Sequence, residues 1–290
     1  MYLSNLSFSQ SIITGIIDRS RYSGSVTKFF SWKERCANIV QYMIEAFRIA
    51  DPILLVVSFR YWMLGKMPEV PLIVRNRSMG VFYCRRHTTD FMYTFRSYER
   101  RIKNYLVAKL IKDVAFVDVG SCIGDFSVWA SERAGHCFAF EPISENYKNL
   151  TRNVRLNGCS SKVTTNKFGL GEKKADLQFN VRKHNKGASG RITPQIQSNL
   201  VETVEIRRFD EIWAPLSGNI WNEVVMKIDV EGMELDVLKG AENFIRNTPG
   251  LSIIMESTIT DVSKICSFLE GLRPHDMRRL DRFNLVIEFK

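Results

Sequence analysis

The chain has 290 residues, 45% of them hydrophobic and 25% charged, which excludes a disordered or fibrous protein. Its net charge of +10 is uneven: residues 1–112 hold 18 Lys and Arg against 7 Asp and Glu, and residues 113–290 hold 23 against 24. The six cysteines and four histidines show no zinc or disulfide spacing, so a cytoplasmic setting and no metal site are expected.

Residues 1–24 lack the basic start and clean apolar run of a signal peptide. Ser31-Trp32-Lys33-Glu34 has the form of a capping box, opening a helix with Ile39, Met43, Ala46 and Ile49 on adjoining turns. Asp51-Pro52 ends it. The next segment, 52–64, is the most apolar of the chain, is interrupted by Arg60, and is too short for a span of ~20 residues. It reads as a buried helix, with a place in a membrane interface as the alternative. Residues 72–77 and 81–86 read as a hairpin turning at Ser78-Met79-Gly80. Phe95, Tyr98, Ile102, Tyr105 and Leu106 then predict a helix leading to Lys112. Residues 1–112 thus form a basic, mainly helical region suited to an anionic partner or membrane surface, or simply a solvated face.

From 113 the rhythm becomes strand, helix, strand. Apolar runs at 114–119, 137–140, 163–168, 224–230 and 251–256 are short enough for buried parallel strands. Helices are expected at 125–134, 144–157, 231–247 and 261–269, a hairpin of 175–181 with 201–206 enclosing a polar stretch, and a terminal pair at 277–280 and 284–289. The alternation predicts an α/β fold, a doubly wound, Rossmann-like parallel sheet over residues 113–290 with an antiparallel edge.

The first strand ends in Asp118-Val119-Gly120-Ser121-Cys122-Ile123-Gly124-Asp125, whose glycines allow a tight strand-to-helix turn and close ligand approach. Glu141 ends the next strand, 21 positions after Gly120, where a carboxylate can accept both hydroxyls of a ribose. Nicotinamide enzymes use the same placement, but Gly120-x-x-x-Gly124 lacks the glycine pattern that holds a pyrophosphate, so a phosphate-free ligand fits better. In Lys227-Ile228-Asp229-Val230-Glu231-Gly232-Met233-Glu234, Lys227 and Asp229 alternate with apolar residues and share one face at the ligand end of a core strand. A charged pair there is costly unless paired or functional. Glu231 and Glu234 are explained by a preference for the helix start.

These stretches, with 138–142 (Phe-Ala-Phe-Glu-Pro), Asn153, Asn157 and Gly169-Leu170-Gly171, resemble the FkbM family of methyltransferases over about residues 85–260. Thr88-Thr89-Asp90 and Tyr98 are similar to the family's lead-in to its first strand. The resemblance implies a class I methyltransferase fold, S-adenosylmethionine as donor, and a small-molecule or glycan hydroxyl as acceptor. It implies that Asp118, Gly120, Ser121 and Gly124 frame the methionine part, Glu141 with Pro142 holds the ribose, and Gly169 and Leu170 lie near adenine. Asp229, with Lys227 as neighbour, would orient the acceptor hydroxyl or serve as general base, and Glu256 would face the same cleft. Ser121-Cys122 departs from the family's common Ala-Asn. An RNA methyltransferase, favoured by the basic N-terminal third, and a non-catalytic binder are the other readings. Val230-Glu231-Gly232, in place of an Asn/Asp-Pro-Pro-aromatic turn, opposes the first and makes nucleic acid the weaker partner. Intact Gly120, Gly124, Glu141 and Asp229 argue against the second.

Overall fold

A computed structural model describes residues 32–49, 51–182, 189–191, 200–218, 221–258 and 260–290. The features expected at 1–24, at the capping box of Ser31 and Glu34 and in most of the polar stretch after 182 lie outside the described residues or side chains.

Two helices open the described chain, α1 (Trp32–Ile49) and α2 (Pro52–Leu64). Asp51 both separates and joins them, because its carboxylate caps α2 through the Ile53 and Leu54 amides and also accepts the Arg75 amide. The hairpin β1 (Leu72–Asn76) and β2 (Gly80–Cys84) follows, then short α3 (Asp90–Tyr93) and α4 (Arg100–Lys109).

The helix expected from Phe95 onward starts only at Arg100. The buried Lys103 ammonium takes the carbonyls of Phe95 (3.3 Å) and Tyr98 (2.6 Å), and Glu99 sits at φ +48, which a helix cannot pass through.

The main sheet contains β3 (Val114–Val119), β4 (His136–Phe140), β5 (Val163–Asn166), β10 (Glu223–Ile228), β11 (Gly250–Glu256), β12 (His275–Arg279) and β13 (Asn284–Phe289). Its order is β12-β13-β11-β10-β3-β4-β5, with β5 to β11 parallel and β13 antiparallel to β11. A second sheet, β6 (Gly169–Leu170), β7 (Ala175–Asn180), β8 (Gly190–Arg191) and β9 (Val201–Arg207), covers one end. The expected hairpin is its β7–β9 pair.

The pleat sorts the core into two layers. Phe116, Val225, Ile254 and Val286 face α5 (Asp125–Ser131), α6 (Ser144–Leu156) and the N-terminal elements. Val117, Met226, Ile253 and Ile287 face α7 (Phe209–Ser217), α8 (Glu234–Gly240), α9 (Glu242–Asn247) and α10 (Val262–Glu270). The single helix expected over 231–247 is instead a loop, α8 and α9. Glu231 and Gly232 both have positive φ, and a Cβ on Gly240 would fall on the Gly171 carbonyl.

The N-terminal hairpin is tied to the sheet domain by side chains that imitate a strand. Asn149 and Asn153 on α6 and Asn157 at its C-cap lie four residues apart. Asn157 accepts the Val81 amide (2.8 Å) and donates to its carbonyl (2.7 Å); Asn153 accepts the Tyr83 amide and Asn149 donates to the Tyr83 carbonyl. The free edge of β2 is thereby satisfied without another strand. Beside it, Arg85 makes a forked pair with Asp90 (2.7 and 2.9 Å) and donates to Asn146 (2.8 Å), all buried.

Candidate active site

The chain leaves β3 for β4 and β5 on one side and returns to β10 and β11 on the other, so a crevice opens at the carboxyl end of β3. Gly120 forms its floor at φ +86, and a Cβ there would strike the Asp229 carbonyl. The Asp229 amide donates to the Val119 carbonyl (3.0 Å), extending the β3–β10 pairing one residue beyond the sheet. On the other side the Gly120 and Ser121 amides both donate to the Phe140 carbonyl (3.0 Å).

The cleft is narrow and opens to solvent. Of the residues expected at the site, Gly120, Glu141, Pro142, Gly169, Leu170 and Asp229 line it. Phe179, Ile206 and Met233 add apolar wall from the second sheet and the loop before α8. Glu141 is 4% exposed. Its carboxylate accepts the Cys122 and Ile143 amides (2.9 Å each) and the Asn146 carboxamide (3.4 Å). Burial pushes its carboxyl up to about 7, against these donors.

Asp118, Ser121, Gly124, Lys227 and Glu256 stand behind this lining. The buried Asp118 carboxylate accepts the Ser127 hydroxyl (2.5 Å), and the Ser121 hydroxyl donates to the Asp118 carbonyl (2.7 Å), so both brace the turn. Gly124 precedes α5 and packs on Leu150.

Lys227 is 4% exposed, its ammonium 2.8 Å from Asp229, 3.9 Å from Glu99 and 4.8 Å from the centre of the Phe126 ring. Burial alone would lower its pKa, but the Asp229, Glu99 and Asp118 carboxylates outweigh that and raise it. Burial likewise works against the Asp229 carboxylate, yet Lys227 holds it below the usual range.

Around Asp229 the remaining acids behave oppositely. Carboxylate oxygens of Asp229, Glu231 and Glu256 lie within 4.8 Å of one another. Burial and then the Asp229 charge push Glu256 up to about 9 and Glu231 up to about 8. At neutral pH Glu256 is therefore protonated and a donor to Asp229. Glu234 does more than begin a helix: its carboxylate accepts the Val230 and Gly232 amides and the Thr260 hydroxyl, fixing the loop that carries Asp229.

Asn146 and Glu99 belong to the site without having been expected. Asn146 touches both Glu141 and Arg85, and its signal is a polar residue on the inward face of α6. Glu99 has no local signal, since it reaches Lys227 only through the fold.

The Methyltransferase FkbM domain family matches residues 118–281. The hexuronic acid methyltransferase AglP of Haloferax volcanii is 29% identical over 171 residues, 58% of this chain and 68% of that protein. Methyltransferase 1 of Beauveria bassiana is 26% identical over 160 residues, 49% of this chain and 64% of its own. Among solved structures, a methyltransferase FkbM from Methylobacillus flagellatus aligns at TM-score 0.46 and 18% identity, covering 88% of this chain and 59% of that one.

Replacing Lys227 with Met leaves Asp118, Asp229 and Glu99 without their shared cation and is expected to cost about 3–5 kcal/mol at neutral pH in denaturant unfolding. In the native protein the depressed Asp229 contributes stability above its unfolded pKa that is lost in acid. In Lys227→Met that contribution is gone and the carboxyls are relieved by protonation, so the gap to wild type narrows as pH falls. A gap independent of pH contradicts the ion-cluster account.

Proposed function

The chain belongs to the FkbM methyltransferase family, and from that premise we propose that it is an S-adenosylmethionine-dependent O-methyltransferase acting on a hydroxyl of a sugar, glycan or secondary metabolite. The observation that carries this reading is the charge of the cleft. Its described lining includes two carboxylates, Glu141 and Asp229, and no Lys, Arg or His. A phosphate-bearing cofactor finds no counter-charge there, whereas a cationic nucleoside does. Glu141 Oε2 accepts only the Cys122 amide and keeps a lone pair for a hydroxyl donor, and the long Asn146 contact to Oε1 (3.4 Å) is readily exchanged for a second. Leu170, Ile206 and Pro142 offer apolar surface to a base.

When bound, S-adenosylmethionine supplies a methyl group activated on a sulfonium. Glu141 would hold the ribose, Pro142, Gly169 and Leu170 the nucleoside, and Gly120 lets the backbone come close. In this reading residues 113–290 carry the donor site, and the region before them reaches the acceptor side through Glu99. Asp229 accepts the hydrogen bond of the acceptor hydroxyl. Held low by Lys227, it is a weak base towards an alcohol, so its main task is orientation. It receives the proton only once carbon–oxygen bonding has made that proton strongly acidic. The ionised Asp229 carboxylate favours a neutral hydroxyl over a carboxylate as the methylated group. The activity named for the archaeal relative directs the acceptor search toward sugars.

With tritiated S-adenosylmethionine and a panel of methyl hexosides and hexuronosides, wild type is expected to label at least one acceptor. Asp229→Asn should lower that turnover roughly 100-fold or more while donor affinity stays within about tenfold. Unchanged turnover would remove Asp229 from the mechanism.

Donor affinity should also depend on pH. Hydroxyl donors favour ionised Glu141, whose carboxyl titrates near about 7 in the free protein. Calorimetric Kd should be tightest above that value and weaken as pH falls below it, at most about tenfold per pH unit. Glu141→Gln should bind weakly and lose the dependence; a wild-type Kd flat from acid to neutral pH rejects the ribose role.

A further inference from the structure

Helix α2 is apolar on every side but at Arg60, yet only one side of it is packed. Leu54, Val57 and Ser58 face the core, while Ile53, Val56, Phe59 and Met63, one stripe at helical spacing, face outward. Helix α1 lies against it, with Tyr42 stacked on Trp62 at 5.7 Å, and exposes its own stripe of Val40, Ile44 and Phe47. Phe47 is 75% exposed and Phe59 52%. Large side chains this exposed, on two helices that pack on each other, are apolar surface that a soluble protein rarely leaves open.

The charges around the patch are mixed but weighted to the positive, in a region (residues 1–112) that holds 18 Lys and Arg against 7 Asp and Glu. Glu69 is ion-paired with Arg60 at 2.8 Å, while Glu45 and Asp51 are turned to backbone amides and keep their charge. Arg48 ends α1, Lys66 follows the Gly65 cap of α2, and Arg75 lies beside the turn between the helices. All three are exposed, with no carboxylate ion pair among the described residues. Among the described residues no helix is long and apolar enough to cross a membrane, and the 13 residues of α2 reach about 20 Å, short of a ~30 Å hydrocarbon core.

We propose that the outer face of α1 and α2 seats on an anionic lipid surface, with Phe47 and Phe59 entering the interface and Arg48, Lys66 and Arg75 meeting the headgroups. An apolar stripe edged by cations suits lying in the interface plane. A second copy is the weaker occupant, because it would bring two regions of net positive charge together. This inference does not depend on the methyl-transfer reading.

The full-length chain is pelleted with vesicles of phosphatidylcholine carrying phosphatidylglycerol as the minor component, and with pure phosphatidylcholine vesicles. Wild type should bind the mixed vesicles, roughly tenfold less well the neutral ones, and be released by salt. Phe47→Ser/Phe59→Ser should weaken binding at least about tenfold with an unchanged circular dichroism spectrum, and Arg48→Ala/Lys66→Ala should remove the preference for the anionic lipid. Failure of wild type to bind, equal binding by Phe47→Ser/Phe59→Ser, or a dimer that those substitutions dissolve in place of lipid binding overturns the proposal. The last two outcomes mean, respectively, that the patch is not the contact and that a second copy covers it.

Discussion

The buried ammonium of Lys227 sets the terms for the rest of the site. A cation at the centre of a parallel sheet is tolerable only if carboxylates come to it, and they come from three separate parts of the chain. Asp118 is its register neighbour on β3, Asp229 lies two residues on, and Glu99 arrives from the N-terminal region. Meeting that demand fixes Asp229 as a low-lying carboxylate at the mouth of the crevice. It also leaves Glu256 and Glu231 buried beside a charge they cannot match, and burial first, then that charge, raises both. The cleft therefore has one ionised acid that orients and two neutral ones that support it.

The second constraint is steric. Gly120 and the Asp229 carbonyl approach so closely that no side chain fits between them, and this contact draws the turn after β3 and the loop after β10 into one wall. Glu141 enters from the opposite wall, held by the amides of Cys122 and Ile143. The same principle of polar groups satisfied from outside their own element joins the N-terminal hairpin to α6. There Asn149, Asn153 and Asn157 serve as the missing strand for β2.

Much of this was legible in the residues. Strands covered on both faces read as short apolar runs, so β3, β4, β10 and β11 were found within a residue or two, and the end-of-strand positions of Gly120, Glu141 and Asp229 followed. What escaped was set by contacts distant in sequence. The periodicity from Phe95 to Leu106 continues through Glu99, but the Lys103 ammonium claims the Phe95 and Tyr98 carbonyls and breaks the helix. Glu231 and Glu234 look like helix-start acids, and only the fold shows one at positive φ and the other clasping the loop. Segment 52–64 reads as a buried helix, whereas Ile53, Val56, Phe59, Met63 and Leu64 are exposed. Periodicity finds a face but not whether anything covers it.

The central claim is that the crevice between β3, β4 and β10 is the donor site, with the acceptor approaching from Asp229. A crystal structure with S-adenosylhomocysteine tests this most directly. The account predicts ribose hydroxyls on the Glu141 carboxylate, adenine beside Leu170, and the sulfur turned toward Asp229. Ligand bound elsewhere, or a crevice still empty at saturating ligand, would contradict it.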